Sequence, residues 1–295
     1  LILESYAMWF SSRRRPTRPA TELLKSRHPS RLAARRKMLL EGLEDRSMMA
    51  ISLTGIYTQN FDTLASSGTA DFVTGANPLP AGWEVFESGT NANTTYTAGT
   101  GSGNAGDTYS LGNAASSDRA LGGLQSGSLI PTIGASFTNS TGSTITELQI
   151  DYQGEQWRFG ATGRQDRLDF QYSLDATSLT TGTWIDVDGL DAVAPTQAAT
   201  GAVTNGAAFP VAGAITGLSI ANGATFYVRW TDFNASGSDD AIGIDDFSID
   251  PTFAPPAPGG IVINEVDGRN NFSPASDSRE SFVELYNDSG AAIDL

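Results

Sequence analysis

The stretch "RWTDFNASGSDDAIGIDDFSID", residues 229–250, carries Asp232, Asp239, Asp240, Asp245 and Asp246 within fifteen residues, and Asp250 follows them. Carboxylates at this density suit three kinds of chemistry. They can ligate a hard cation such as calcium, which takes about six to eight oxygens from acidic side chains and backbone carbonyls. Asn234, Asp239, Asp240, Asp245 and Asp246 offer such oxygens beside small residues, although the spacing and terminal Glu of an EF-hand loop are missing. They can cap a hairpin turn through side-chain-to-backbone bonds, with Asp239 and Asp240 in the turn and Asp245 or Asp246 bonded to a loop or to Arg229. They can also work as an acid–base pair across a cleft, as in glycoside hydrolysis, where two carboxyls stand about 5 to 9 Å apart. The residues alone leave all three open.

Other groups offer less. "YQGEQWRFG" sets Glu155 beside Trp157 and Arg158, a candidate sugar contact or an ordinary buried Glu–Arg pair. "RFGATGRQDR" gathers Arg158, Arg164 and Arg167. That cluster suits an anionic glycan, or simply pairs with nearby acids. "SLGNAASSDRALGG" is glycine-rich but lacks the strand-to-helix setting of a phosphate loop.

Composition narrows the chemistry further. Residues 1–50 hold 11 of the 18 Lys and Arg and 5 of the 33 acids; residues 51–295 hold seven Arg, no Lys and 28 acids. The chain has no cysteine, and His28 is its one histidine. A body without His, Cys or Lys has no Ser-His-Asp triad, Cys–His pair, Schiff base or ordinary zinc site. Its negative charge repels nucleic acid and anionic lipid, and suits a salty, cation-rich exterior.

The elements that must position these residues are strands. Short runs such as "GIYTQNFDTL", "ITELQIDYQG", "RLDFQYSLD", "ATFYVRWTDF" and "AIGIDDFSID" alternate apolar and polar residues between Gly/Asn/Ser/Asp turns, the pattern of a sandwich or barrel. Alternation puts Phe226, Val228, Trp230 and Asp232 on one face. It also sets Ile242, Ile244, Asp246 and Ser248 opposite Gly243, Asp245, Phe247 and Ile249. Residues 88–118 and 191–213 read as long loops, mobile, functional or concealing strands. Residues 1–50 read as a basic leader, helical or disordered, and no run of about 18 apolar residues spans a membrane. "PTFAPPAPGG" at 251–260 reads as a stiff break, with 253–260 as the Pro/Gly linker.

Three stretches carry resemblances. "LEDRSMMA" at the end of the leader resembles the "LE-x-R-x-(L/M)-(L/M)-(A/S)" signature of secreted planctomycete proteins, which implies export. The stretches "QNFDTL…LPAGWEVFE", "GEQWRFGATGRQDRLDFQYS" and "RWTDFNASGSDDAIGIDDF" resemble an uncharacterised jelly-roll module of large secreted bacterial proteins, over about 55–250. The bracketing "NFD" and "IDDF" also resemble cleaved-adhesin and MAM-type sandwiches, in which first and last strands pair. That likeness implies that Asp62 lies beside Asp245 and Asp246. "IVINEV" and "SFVELYNDSGAAIDL" resemble the opening of an immunoglobulin-like lamin-tail domain, truncated at Leu295.

The expected protein is therefore all-β: a leader (1–50), an antiparallel jelly-roll β-sandwich (51–252), a linker and the start of a lamin-tail domain (261–295). The expected role is a non-catalytic, exported binding, adhesion or scaffold module with glycan or protein partners, no nucleic-acid partner, and calcium as a candidate cofactor. Its candidate metal residues are Asp62, Asp239, Asp240, Asp245 and Asp246; its candidate ligand contacts are Glu155, Trp157 and Arg158. The alternative is the accessory N-terminal region of a secreted endonuclease/exonuclease/phosphatase-type nuclease, the company such modules keep in bacteria. If the charge and proline breaks mark domain ends, limited proteolysis leaves a resistant fragment of about 200 residues covering 52–252; cleavage throughout that span contradicts the division.

Overall fold

A computed structural model describes residues 49–253, 261–267 and 282–287. The leader, the linker and most of the expected lamin-tail segment lie outside the described residues.

The strands in chain order begin with β1 (Ile51–Leu53), β2 (Tyr57–Gln59), β3 (Thr69–Asp71), β4 (Trp83–Ser88), β5 (Thr95–Gly99) and β6 (Asp107–Leu111). Next come β7 (Ala120–Leu124), β8 (Ile130–Asn139), β9 (Ile145–Phe159), β10 (Arg167–Ser173) and β11 (Ile185–Asp186). After a 3-10 turn at Asp188–Leu190 follow β12 (Ala192–Val193), β13 (Gly201–Ile220), β14 (Thr225–Asp232) and β15 (Ala241–Phe253). β16 (Ile261–Asp267) and β17 (Phe282–Asn287) pair with each other, antiparallel, in a separate two-stranded sheet. Two strands of that kind do not distinguish a lamin tail from any other hairpin. Among the described residues no helix is long and apolar enough to cross a membrane.

The front sheet runs β8-β14-β10, with β1 and β4 on the free side of β8 and β11 and β12 on that of β10. The back sheet runs β13-β9-β15-β7-β6-β5-β3, and β2 continues beside β15 where β7 ends. Pairing is antiparallel except β1 on β8 and β5 on β6, which are parallel. The expected all-β sandwich is present.

Strand alternation drives both sheets' apolar faces into one core. Trp83, Ile133, Phe170 and Trp230 from the front meet Ile150, Tyr152, Ile244 and Phe247 from the back. Trp230 is the hub: its ring centroid lies 5.1 Å from Phe170, 5.4 Å from Tyr152, 5.5 Å from Phe247 and 6.0 Å from Trp83. First and last strands meet as expected, with Gln59 opposite Phe247 and Tyr57 opposite Ile249, and Phe61 stacks edge-on against Trp83 at 4.7 Å.

The expected alternation of β15 fails at one place. Asp246 has φ 47°, and the β15–β9 register slips between Asp245 and Ser248. This β-bulge excludes two consecutive residues from the core, so Ile242 and Ile244 point inward before it and Phe247 and Ile249 after it. The two long loops do conceal strands: β5 and β6 in the first, β12 and much of β13 in the second. These strands are built largely from Gly, Ala, Ser and Thr, and β13 is an edge that tolerates Pro210.

The core hub sets a stability ranking. Trp230→Ala should cost about 3 to 5 kcal/mol and lower the melting temperature by roughly 6 to 20 °C. Phe86→Ala, on an outer face with 43% exposure, should cost under about 1 kcal/mol. Denaturant unfolding measures both, and a reversed order contradicts the packing described.

Candidate functional site

At one end of the sandwich the inward rows change from apolar to polar. On β14, Phe226, Val228 and Trp230 are followed by Asp232; on β15, Ile244 and Ile242 are preceded by Asp240; on β10, Phe170 and Leu168 are preceded by Asp166. On β9, Tyr152 and Gly154 are followed by Gln156, and on β7, Leu121 and Gly123 lead to Gln125. Period-two continuation therefore turns five polar side chains toward the space between the sheets. All five are buried, and Asp239 joins them from the loop before β15.

Their hydrogen bonds divide them into two groups. Asp166 and Asp240 are fully engaged. Asp166 accepts from the backbone N–H groups of Arg167 (3.0 Å) and Asp240 (2.7 Å). Asp240 accepts from Gly160 N–H (2.8 Å) and Gln156 Nε2 (2.5 Å). Arg164 Nη1 stands 2.9 Å from Asp166 and 3.0 Å from Asp240, and Nη2 donates to the Ser238 carbonyl. The second group is less well served: both oxygens of Asp232, Oδ1 of Asp239 and Oε1 of Gln125 are buried without a well-formed hydrogen bond, although the backbone N–H groups of Gln125 and Ala235 approach Asp232 and Asp239. Burial, and then the charges of Asp166 and Asp239, push Asp232 far above the carboxylate range. Burial and then Asp166 push Asp239 up to about 6, against the pull of Arg164.

The sequence grouped Asp239, Asp240, Asp245, Asp246 and Asp62; the structure divides them, with Asp239 and Asp240 at the polar end of the core and Asp245 and Asp246 at the bulge, where β2 brings the Asn60–Asp62 turn alongside. Asp245 lies five residues along β15 from Asp240, about 16 Å at the rise of a strand. It sits at the bulge, 5% exposed. Burial raises its pKa to about 8, and the charges of Asp246, Glu155 and Asp118 add to the rise while the Asp246 N–H opposes it. Asp62 is exposed and accepts from Asn60 Nδ2 at 2.7 Å. A shallow pocket formed by Thr58, Gln59, Asn60, Asp246 and Phe247 adjoins that turn. Among the described residues no three Asp, Glu, His or Cys side chains converge as a ready metal cage.

Glu155, Trp157 and Arg158 do not form an open sugar contact. Trp157 is 4% exposed, packed with Tyr109, Leu111 and Leu124 on the back sheet, and its Nε1 donates to Glu155 at 2.8 Å. Arg158 stands opposite Ala241 across an irregularity in the β9–β15 register and donates to the Gly101 carbonyl at 3.2 Å. The outer layer of β6 and β7 residues buries Trp157.

The open aromatic surface lies on the outer face of the front sheet instead. Register sets Phe86, Thr132, Thr231 and Asp169 in one row across four strands, about 14 Å from end to end, with Phe86 exposed, Thr231 and Asp169 half-buried and Thr132 buried between its neighbours. Ile130 and Phe233 extend it, 37% and 36% exposed, and the Arg167 guanidinium lies 3.9 Å from the centroid of Phe233. The adjoining row, Glu84, Gly134, Arg229 and Gln171, ends at Asp186. The 174–184 loop covers that row: Arg229 donates to the Leu179 carbonyl and stacks at 3.8 Å on Trp184. At Gly134 a Cβ would meet the Leu179 side chain at 2.6 Å, so glycine there lets the loop lie down. Beside the open row a polar recess is lined by Gln165, Asp166, Arg167, Asp188 and Asp191. Burial raises Asp191 to about 6 despite a hydrogen bond from Phe170 N–H.

No protein-family model and no curated protein matches the chain. Among solved structures, it resembles the CBM22-1 xylan-binding domain of Paenibacillus barcinonensis Xyn10C, with 12% identity over 70% of this chain and 100% of that one, at a TM-score of 0.31. It resembles the K3 cleaved adhesin domain of Porphyromonas gingivalis Lys-gingipain at 12% identity over 65% and 98%, TM-score 0.36. A third likeness, 13% identical over 58% and 88% with a TM-score of 0.30, is to TmCBM61 bound to β-1,4-galactotriose. At these scores nothing about this chain's ligand follows.

The raised carboxylates give stability a definite pH dependence. Asp245 holds its proton to about pH 8 when folded, against an ordinary value of 3.8. The folded state thus binds more protons between those values, and stability falls as pH rises through them. Asp239 and Asp191 act in the same sense up to about 6. In chelator, the urea midpoint should fall between pH 6 and 8, and Asp245→Asn should flatten that fall. A midpoint that rises over this interval contradicts the assignment.

Proposed function

We propose that the sandwich is a non-catalytic carbohydrate-binding module of an exported protein, taking a neutral glycan chain across the outer face of the front sheet. The observation that carries this reading is the row of Phe86, Thr132, Thr231 and Asp169, continued by Phe233 and Arg167. Exposed rings and Ile130 offer flat apolar contact to the C–H face of a sugar. Hydroxyls, a carboxylate and a guanidinium along the same row meet its hydroxyl groups, the combination of apolar lining and few placed polar groups that ligand sites use. Glu84, Asp169 and Asp186 outnumber Arg167 and Arg229 around this face, which disfavours an anionic glycan. The lysine-free, acidic body suits the cell exterior, where adhesion and scaffolding are the roles such binding serves. No described residue favours the nuclease-accessory reading.

Affinity electrophoresis of the full chain through soluble polysaccharides tests this. Neutral glucans or galactans should retard it and alginate should not. Phe86→Ala and Phe233→Ala should each weaken retardation roughly five- to tenfold, the loss of about 1 to 1.4 kcal/mol of ring contact, while Asp62→Asn leaves it unchanged. Absence of retardation by every neutral polysaccharide, or retardation indifferent to both ring deletions, contradicts the proposal.

A further inference from the structure

The polar end of the core has more buried acceptors than well-placed donors. Asp232 Oδ1 and Oδ2, Asp239 Oδ1 and Gln125 Oε1 are buried without a well-formed hydrogen bond, with only the Gln125 and Ala235 backbone N–H groups and the unbonded Arg164 Nε near them. Asp232 and Gln125 belong to opposite sheets and both continue inward-facing rows, and Asp239 lies close enough to Asp232 to raise its pKa. We infer that this end of the sandwich holds one hard divalent cation of the calcium class, bound by the carboxylates of Asp232 and Asp239 with the Gln125 amide oxygen.

Donor arithmetic favours a cation over the other ways of filling the space. A proton on Asp232 turns one oxygen into a donor for either Asp239 or Gln125 and leaves the other unserved, and the Gln125 and Ala235 N–H groups reach Asp232 and Asp239 without well-formed geometry. Arg164 already stands between Asp166 and Asp240 and reaches the Ser238 carbonyl with Nη2. Four carboxylates against one guanidinium leave a formal −3, and burying uncompensated charge is costly. A divalent ion reduces that to −1 and accepts every unpartnered oxygen at once. Two carboxylates and an amide oxygen supply part of a calcium shell, and backbone carbonyls and waters complete such shells.

The site has a structural consequence. Asp232 immediately precedes Phe233, and Asp239 closes the loop that follows it. A cation joining them ties both ends of residues 232–239 to Gln125 on the back sheet. The inference does not rest on glycan binding, since the cation is assigned from buried oxygens alone.

The test is thermal unfolding of the full chain in calcium, in magnesium, and in chelator with sodium at matched ionic strength. Extracellular calcium modules bind at about 10⁻⁴ to 10⁻³ M, so about 10 mM calcium should raise the melting temperature by roughly 3 to 10 °C. Asp232→Asn and Asp239→Asn should abolish this rise, while Asp62→Asn and Asp246→Asn keep it. In chelator, Asp232→Asn should melt near the parent, because the amide matches the neutral acid in shape and puts no charge in the site. Should a variant not fold, terbium luminescence of the parent reads the same site: excitation of tryptophan should sensitise bound terbium beside Trp230, and calcium should displace it. No calcium shift in the parent overturns the inference, leaving protons or water in the space. A shift that survives both Asp232→Asn and Asp239→Asn but vanishes in Asp246→Asn moves the cation to the bulge, and equally overturns it.

Discussion

A carboxylate that leaves water needs a cation, a set of donors or a proton, and this sandwich has few cations to give. Residues 49–253 contain five arginines and no lysine. Each arginine is already committed. Arg119 serves Ser110 and nearby carbonyls, Arg158 the Gly101 carbonyl, Arg164 the Asp166–Asp240 pair, Arg167 Asp169 and Phe233, and Arg229 Gln171 and Trp184. The buried acids must therefore be balanced by other means. Backbone N–H groups do part of the work, from Gly160 to Asp240, from Phe170 to Asp191 and from Asp246 to Asp245. Retained protons do another part, visible as the raised pKa values of Asp239, Asp191 and Asp245. Asp232 and Asp239 draw on both means and still keep oxygens without a well-formed hydrogen bond, which is why the polar end of the core is the place where an added cation relieves most.

The same geometry produces both proposed sites from single strands. β14 turns Trp230 and Asp232 inward, to the aromatic hub and the carboxylate end, while Thr231 and Phe233 face outward onto the open row. β10 does likewise with Leu168 and Phe170 inside and Arg167 and Asp169 outside. Binding face and polar end are thus two sides of one pair of strands, and the loop 233–240 connects them. The β15 bulge adds a third environment by turning Asp245 and Asp246 out of the core where the neighbouring strand changes from β7 to β2.

Much of this was legible in sequence and some was not, for identifiable reasons. Period-two alternation placed Phe226, Val228, Trp230 and Asp232 on one face, and the likeness of "NFD" and "IDDF" to other sandwiches placed first strand beside last; both hold. The bulge was illegible because nothing in "IGIDDFSID" marks a left-handed Asp246, and alternation alone assigns Phe247 to the wrong side. The aspartates were grouped by closeness in sequence, whereas an extended strand carries Asp240 and Asp245 far apart. Their actual companions come from other strands: Asp166, Gln125 and Gln156 are distant in sequence and meet Asp240 only through sheet register. A signal existed all the same, since Asp166, Asp232 and Asp240 each sit two residues beyond an inward apolar residue. The outer row went unseen because Phe86 and Phe233 look like any alternating aromatic until register sets them across one face. Strands β5, β6 and β13 were hidden by small residues with no apolar period to read.

The claim that a cation balances the buried carboxylates is met most directly by diffraction from crystals grown in calcium, with data collected where calcium or substituted terbium scatters anomalously. The account predicts one anomalous peak between Asp232 and Asp239 with Gln125 Oε1 in its shell. A map without a peak there, or with its peak beside Asp245 and Asp246, contradicts it.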